Sequence, residues 1–171
     1  MQLIPKISAV AILFTCAFAL LVLPQQSVSG ASSSSPALSV ANAQQFDSSE
    51  PVPAFHTEAP AGALPATMSP DTFGDPVVQN AYTVAARIKK VLYQEPCYCH
   101  CDRSQGHTGL LDCFVSKHGS GCDICVREDL YAYEQTKKGQ TPAQIRQGIM
   151  QGDWKSVDLS KYRSPLPAPH K

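Results

Sequence analysis

Six cysteines fall within twenty-nine residues, Cys97, Cys99, Cys101, Cys113, Cys122 and Cys125, and His107 and His118 lie between them. So dense a set of soft and borderline donors restricts this part of the chain to three chemistries: a metal site, a disulfide framework or a thiol redox centre. The spacing sharpens the choice without closing it. In an extended backbone Cys97 and Cys101 face one side and Cys99 the other, so one ion can use all three only if the loop curls. Cys122 and Cys125 differ, because i, i+3 spacing in a first helical turn points both sulfurs the same way. A helix N-terminus also favours thiolate.

Each chemistry has a set of residues. For metal, the candidate ligands are Cys97, Cys99, Cys101, His107, Cys113, His118, Cys122 and Cys125. Four-coordinate zinc takes such donors, eight of them suffice for two ions, and Cu(I) also suits a thiolate-rich site. For redox, Cys122 and Cys125, or a pair within 97–101, form a reversible dithiol. The alternative without catalysis is a disulfide-stapled structural or interaction module. Six cysteines allow fifteen pairings, and strain in an adjacent CxC bridge directs Cys97, Cys99 and Cys101 to more distant partners such as Cys113, Cys122 and Cys125. Zinc or copper is the only cofactor implied. No serine–histidine–acid order, phosphate-cradling glycine loop or HExxH motif supports hydrolase or nucleotide chemistry.

The N-terminal third reads as export and tether. Lys6 precedes an uncharged apolar run over 7–23, Pro24 ends it, and small residues follow to Ala31. Residues 1–31 are therefore expected to be a signal peptide, cleaved after Gly30 or Ala31, or else an uncleaved membrane anchor. Cys16 stands in the middle of the apolar run, where a lipid-attached cysteine is not expected, and is read as filler. Residues 32–74 are expected to be a disordered linker, because Ala, Ser and Pro dominate and four acids are the only charges between 31 and 73. The expected location is periplasmic or extracytoplasmic, soluble or anchored by the N-terminus. Partners are not specified. With thirteen Lys or Arg against ten acids, residues 74–171 are too evenly mixed to argue for nucleic acid.

The expected fold class is mainly α, a small Cys-rich domain over 75–162 with three to four short helices around the PCYCHC loop. Asp75-Pro76 is an N-cap followed by proline at N1, and Val78, Ala81, Ala85, Ile88 and Leu92 form a helical stripe that Glu95-Pro96 ends. A short helix is expected in 109–116. Cys122–Lys138 is expected to be helical, closed by Gly139. Thr141-Pro142-Ala143-Gln144 is a capping-box start, and Ile145 and Ile149 share one face. Glu128, Asp129 and Glu134 read as a solvated helix face, Asp112 and Asp123 as groups able to orient a ligand histidine, and Trp154 and Tyr162 as packing residues. The tail 163–171 is expected to be flexible and Pro-rich.

The run Pro96-Cys97-Tyr98-Cys99-His100-Cys101, followed by Gly106-His107, Leu111-Asp112-Cys113-Phe114, His118-Gly119 and Cys122-Asp123-Ile124-Cys125, resembles the PCYCGC-motif proteins, also called the CYCxC family. The resemblance covers about residues 76–152. It implies an exported bacterial protein, often a lipoprotein, of uncharacterised function. Selenocysteine described in some members would favour redox chemistry. Two departures stand out. No lipobox is present, and His100 occupies the position where the motif has glycine, so either that glycine is dispensable here or His100 is an extra ligand.

Overall fold

In a computed structural model, residues 50–167 can be described. The signal or anchor segment 1–31, Cys16, the first part of the linker and the end of the tail lie outside the described residues. The described part is mainly helical, with no strand. Its α-helices are α1 (Pro76–Arg87), α2 (Lys89–Leu92), α3 (Cys101–Gln105), α4 (Asp112–Val115), α5 (Asp123–Lys137) and α6 (Pro142–Gln151). Short 3₁₀ turns occupy Pro70–Thr72, His118–Gly121, Asp153–Ser156 and Leu159–Tyr162. The mainly-α expectation holds, and the helix number exceeds the expected three or four because α2, α3 and α4 are one turn each. No helix among the described residues is long and apolar enough to cross a membrane.

Local chemistry accounts for the helix ends. The Asp75 carboxylate accepts from the Val77 and Val78 N–H groups at 2.7 and 3.3 Å, with Pro76 at N1. The capping box of α6 is complete: Gln144 N–H donates to the Thr141 hydroxyl, and Thr141 N–H donates to Gln144 Oε1. Gly139 and Gly152 end α5 and α6 with left-handed φ of 80° and 82°. The expected single helix from Asp75 to Glu95 is broken at Ile88, whose φ of −115° and ψ of 28° leave the helical region. The bend keeps the apolar stripe facing inward across the break, since Ala81, Ala85, Ile88 and Leu92 are all buried.

Helix α5 is central, contacting α1, α2, α6 and the turns at 118–121 and 153–156. Around it pack Tyr82, Leu92, Leu110, Leu111, Phe114, Leu130, Ile145 and Ile149, all essentially inaccessible. Each such side chain contributes about 1.5–3 kcal/mol of burial. Being surrounded also explains why Glu128 and Asp129 are fully buried, which corrects the reading of these two as a solvated face. Trp154 and Tyr162 are buried, as packing residues should be.

Residues 50–73, part of the stretch read as a disordered linker, run without helix or strand until Pro70 and lie against the helices. Met68 N–H donates to Phe114 O at 2.9 Å, and Lys89 Nζ donates to Leu64 O and Pro65 O. Leu64, Met68 and Phe73 pack on the core. Composition hid this, because a few well-spaced apolar side chains suffice for docking, and prolines reduce the entropy lost when such a strap is ordered. The tail start is likewise fixed: Asn80 donates to Tyr162 O and Ser164 O, and accepts from Leu166 N–H.

Candidate metal centre

Four chain segments bring the donors together. After α2, the chain turns through Pro96 into a tight loop in which His100 N–H donates to Cys97 O at 3.1 Å. His100 adopts φ 56° and ψ 35°, the one positive-φ residue other than glycine among the described residues. This conformation curls the loop so that Cys97, Cys99 and Cys101 converge instead of alternating, which answers the requirement left open by their spacing. Glycine would reach it without strain, so the motif's usual residue has a backbone reason. Cys101 then opens α3. His107 follows α3, Cys113 sits in α4, His118 begins the 3₁₀ turn, and Cys122 and Cys125 are the N-cap and third residue of α5.

All six cysteines are free thiols. Their sulfurs form a network and not three isolated pairs. Cys97 Sγ lies 3.3 Å from Cys99 and 3.4 Å from Cys125, and Cys99 lies 3.5 Å from Cys125. Cys101 and Cys113 are 3.5 Å apart. The imidazoles join the same cluster, His118 Nε2 at 3.7 Å from Cys99 and His107 Nδ1 at 3.4 Å from Cys113. The two rings stand edge to face with centroids 5.1 Å apart. In two groups the four donor atoms all fall within 4.8 Å of one another: Cys99, His118, Cys122 and Cys125, and Cys101, His107, Cys113 and His118. Cys97 belongs to two further groups, one with Cys99 and Cys101 and one with Cys113 and Cys125. Every residue expected to be a ligand is therefore in the cluster. His100 is in none of these groups.

The acidity of the thiols is uneven. Cys99 is held below the ordinary thiol range by the surrounding thiols, Cys101 first and then Cys113, Cys125 and Cys97. Cys113 is raised, chiefly as donor to Cys101. Cys122 is raised by burial. For Cys125, hydrogen bonds from Cys113 and Cys97 pull downward, but donation to Cys99 and burial outweigh them and leave it at about 12. The low thiol is thus Cys99 and neither residue of the Cys122/Cys125 pair, because desolvation and donation outweigh the helix dipole there. Burial, then the neighbouring His118, lowers His107 and keeps it neutral, the form that binds metal.

Two surroundings of the cluster were not legible beforehand. Glu128 Oε1 accepts from Tyr98 N–H at 2.9 Å, tying the cysteine loop to α5. Burial pushes its carboxyl up to about 8. Spacing carried a signal for this, since Glu128 is three residues beyond Cys125 and must share its inward face. The second is the strap. Pro53 and Ala54 close over Cys97, Cys101 and His107, with Ala54 N–H donating to Asp102 at 3.3 Å. Phe55 lies under the Arg146 guanidinium and His56 stacks on Tyr93, contacts the sequence did not suggest. Asp112 accepts from Thr108 and Asp123 pairs with Arg127, so neither hydrogen-bonds a histidine as expected.

A family model described as "Protein of unknown function with PCYCGC motif" matches residues 28–169. Searches of curated proteins and of solved structures return no significant match.

Proposed function

Since this chain belongs to the PCYCGC-motif family, whose function is unknown, we propose its role from the site: it binds a soft, closed-shell metal ion, zinc or Cu(I), outside the cytoplasm. One observation carries the reading, the entry of two imidazoles into a network of six thiols. A disulfide framework pairs sulfur with sulfur and has no use for convergent histidines. Thiolate with neutral imidazole is the donor set of tetrahedral zinc and of Cu(I). The cysteines would hold the ion as thiolates, His107 and His118 would supply neutral nitrogen, and Glu128 would fix the loop that carries three of the ligands. Placement outside the cytoplasm rests on the leader-like residues 1–31, with the segment that follows joining leader to domain.

Elemental analysis and thiol titration on protein purified anaerobically test this. The expected result is stoichiometric zinc or copper with the thiols protected from alkylation, and Cys99→Ser lowering metal content and thermal stability together, because binding is coupled to folding. Metal-free protein with no reactive thiols before reduction would establish the disulfide module instead.

Thiol–disulfide exchange is favoured by one specific feature, the partly exposed Cys99 thiol with the buried Cys125 thiol beside it. The Cys99 thiolate would attack an external disulfide and expel one of its sulfurs as thiolate. Cys125, 3.5 Å away, would then displace the second, leaving Cys99 and Cys125 oxidised and the substrate reduced. Rapid alkylation of Cys99 in metal-loaded protein would favour this route, and protection would exclude it.

A further inference from the structure

Building on the metal-binding reading, we infer that the cluster is two interleaved four-coordinate sites, each of three thiolates and one imidazole. The outer site is Cys99, His118, Cys122 and Cys125. The inner site is Cys97, Cys101, His107 and Cys113.

All eight donors can bind metal only if more than one ion is present. Zinc in a structural site takes four ligands, and eight donors cannot all lie about 2.0–2.3 Å from one centre. The outer set follows directly, because its four donor atoms are all within 4.8 Å of one another. A tetrahedral ion with metal–sulfur bonds of about 2.3 Å has edges of roughly 3.8 Å, so small adjustments of the donors complete it. For the inner set, Cys101, His107 and Cys113 are mutually within the same distance. His118 is near both sets but lies against the outer thiol Cys99, with Nε2 at 3.7 Å. Given to the outer ion, it leaves the inner set one donor short. Cys97 fills that vacancy, being within 4.8 Å of Cys101 in one group and of Cys113 in another. The division uses every donor once and gives the two ions the same ligand chemistry.

Cys97 also lies 3.3 and 3.4 Å from the outer thiols Cys99 and Cys125. It stands at the seam, where one thiolate can touch both ions. The two sites differ in access. Inner Cys97, Cys101 and Cys113 are buried, and Pro53 and Ala54 close over Cys97, Cys101 and the partly exposed His107. Outer Cys99, Cys122 and His118 are partly exposed. The outer ion is therefore the exchangeable one, and the inner ion is retained.

The test is anaerobic titration of the reduced full chain with Co2+, whose visible absorption reports tetrahedral thiolate coordination. Absorbance should saturate at two equivalents, and at one equivalent in either His118→Asn or His107→Asn, substitutions that leave all six thiols in place. From Zn2+-loaded protein, a chromophoric chelator should take one equivalent at least ten-fold faster than the second, with His118→Asn losing the fast phase and His107→Asn the slow one. Saturation of the unsubstituted chain at one equivalent, or at three or more, overturns the two-site division and leaves metal binding standing. Loss of both equivalents in a variant whose circular dichroism is unchanged overturns the partition, and release in a single phase overturns the inner and outer order. Failure to bind Co2+, Zn2+ or Cu(I) at all would remove the metal-binding reading itself.

Discussion

The left-handed residue in the cysteine loop gives a prediction that isolates backbone strain from side-chain chemistry. His100 holds φ 56° and ψ 35°, where the Cβ of any L-residue crowds the following carbonyl at a cost of about 1–2 kcal/mol. Glycine escapes that cost but gives back about 0.4–1 kcal/mol through its greater freedom in the unfolded chain. Replacement by Ala keeps the Cβ and removes the ring; replacement by Gly removes both. Both variants lose the same imidazole, including its edge contact with Tyr98 at 6.1 Å and its buried Nδ1, which has no hydrogen-bond partner among the described residues. Their difference therefore reports the backbone alone. His100→Gly should be more stable than His100→Ala by about 0.5–1 kcal/mol, or roughly 4 °C in Tm for a domain of this size. Urea unfolding of the reduced, metal-free proteins measures it. Metal stoichiometry should be unchanged in both, since His100 is in no donor group. Equal stabilities, or alanine ahead, would refute the argument that the loop needs a left-handed residue to gather its thiols.

Two further predictions concern α5 and its neighbours. Asp129 is fully buried without a hydrogen-bond partner among the described residues, and desolvation raises its pKa well above the ordinary 3.8. The folded chain then keeps a proton that the unfolded chain has released, so stability is complete below that ordinary value and declines as pH rises towards the raised one. Glu95 and Glu128, pushed up to about 8 mainly by burial, extend the decline from about pH 4.5 to about 8. Asp129→Asn should flatten the metal-free stability profile by up to about 1.4 kcal/mol per pH unit, read by urea unfolding across that window; an unaltered slope would show the carboxyl is hydrated. Gly148→Ala places a Cβ against the Tyr131 hydroxyl, which is held near Asp153 at 3.4 Å. Overpacking of about 1–3 kcal/mol outweighs the helix-propensity gain of about 1 kcal/mol. Thermal melts should show destabilisation, and a stabilised variant would mean that the Tyr131 ring yields freely.

Legibility in the sequence followed the range of the interactions. Helix starts at Asp75-Pro76 and Thr141-Pro142 were readable because an N-cap acts within three residues, and the candidate donors were readable because donor identity is a property of the side chain. What escaped depended on contacts between distant segments. The break at Ile88 preserves a stripe that a straight helix would present equally well. Glu128 and Asp129 resemble a solvated pair until α5 is known to be surrounded, although the i, i+3 step from Cys125 to Glu128 already put one acid on the ligand face. The docking of residues 50–73 turns on a handful of apolar side chains and backbone bonds, such as Met68 to Phe114, that composition averages away. Thiol acidity escapes for the same reason: the helix dipole at Cys122 and Cys125 is local, whereas the lowering of Cys99 comes from the surrounding thiols, Cys101 first.

The CxCxC spacing acquires a purpose on the two-site division. A loop with only Cys97 and Cys101 could be tied to α3, α4 and the turn between them, but it would give the outer ion no ligand from the loop. A loop with only Cys99 would have the reverse defect. Placing Cys99 between two inner ligands makes five residues serve both ions, so that neither can bind without positioning the other's donors. The backbone tie from Tyr98 to Glu128 reinforces the outer connection without using a ligand. Metal binding should then be cooperative in filling, because the first ion orders the shared loop for the second, even though the two ions leave at different rates. Cys97 at the seam strengthens that coupling. Cys97→Ser should weaken binding of the one Co2+ ion that remains more than Cys113→Ser does, although both belong to the inner set, because Cys97 alone of the two lies against the outer thiols Cys99 and Cys125; equal effects in the Co2+ titration would argue against a role for Cys97 at the seam.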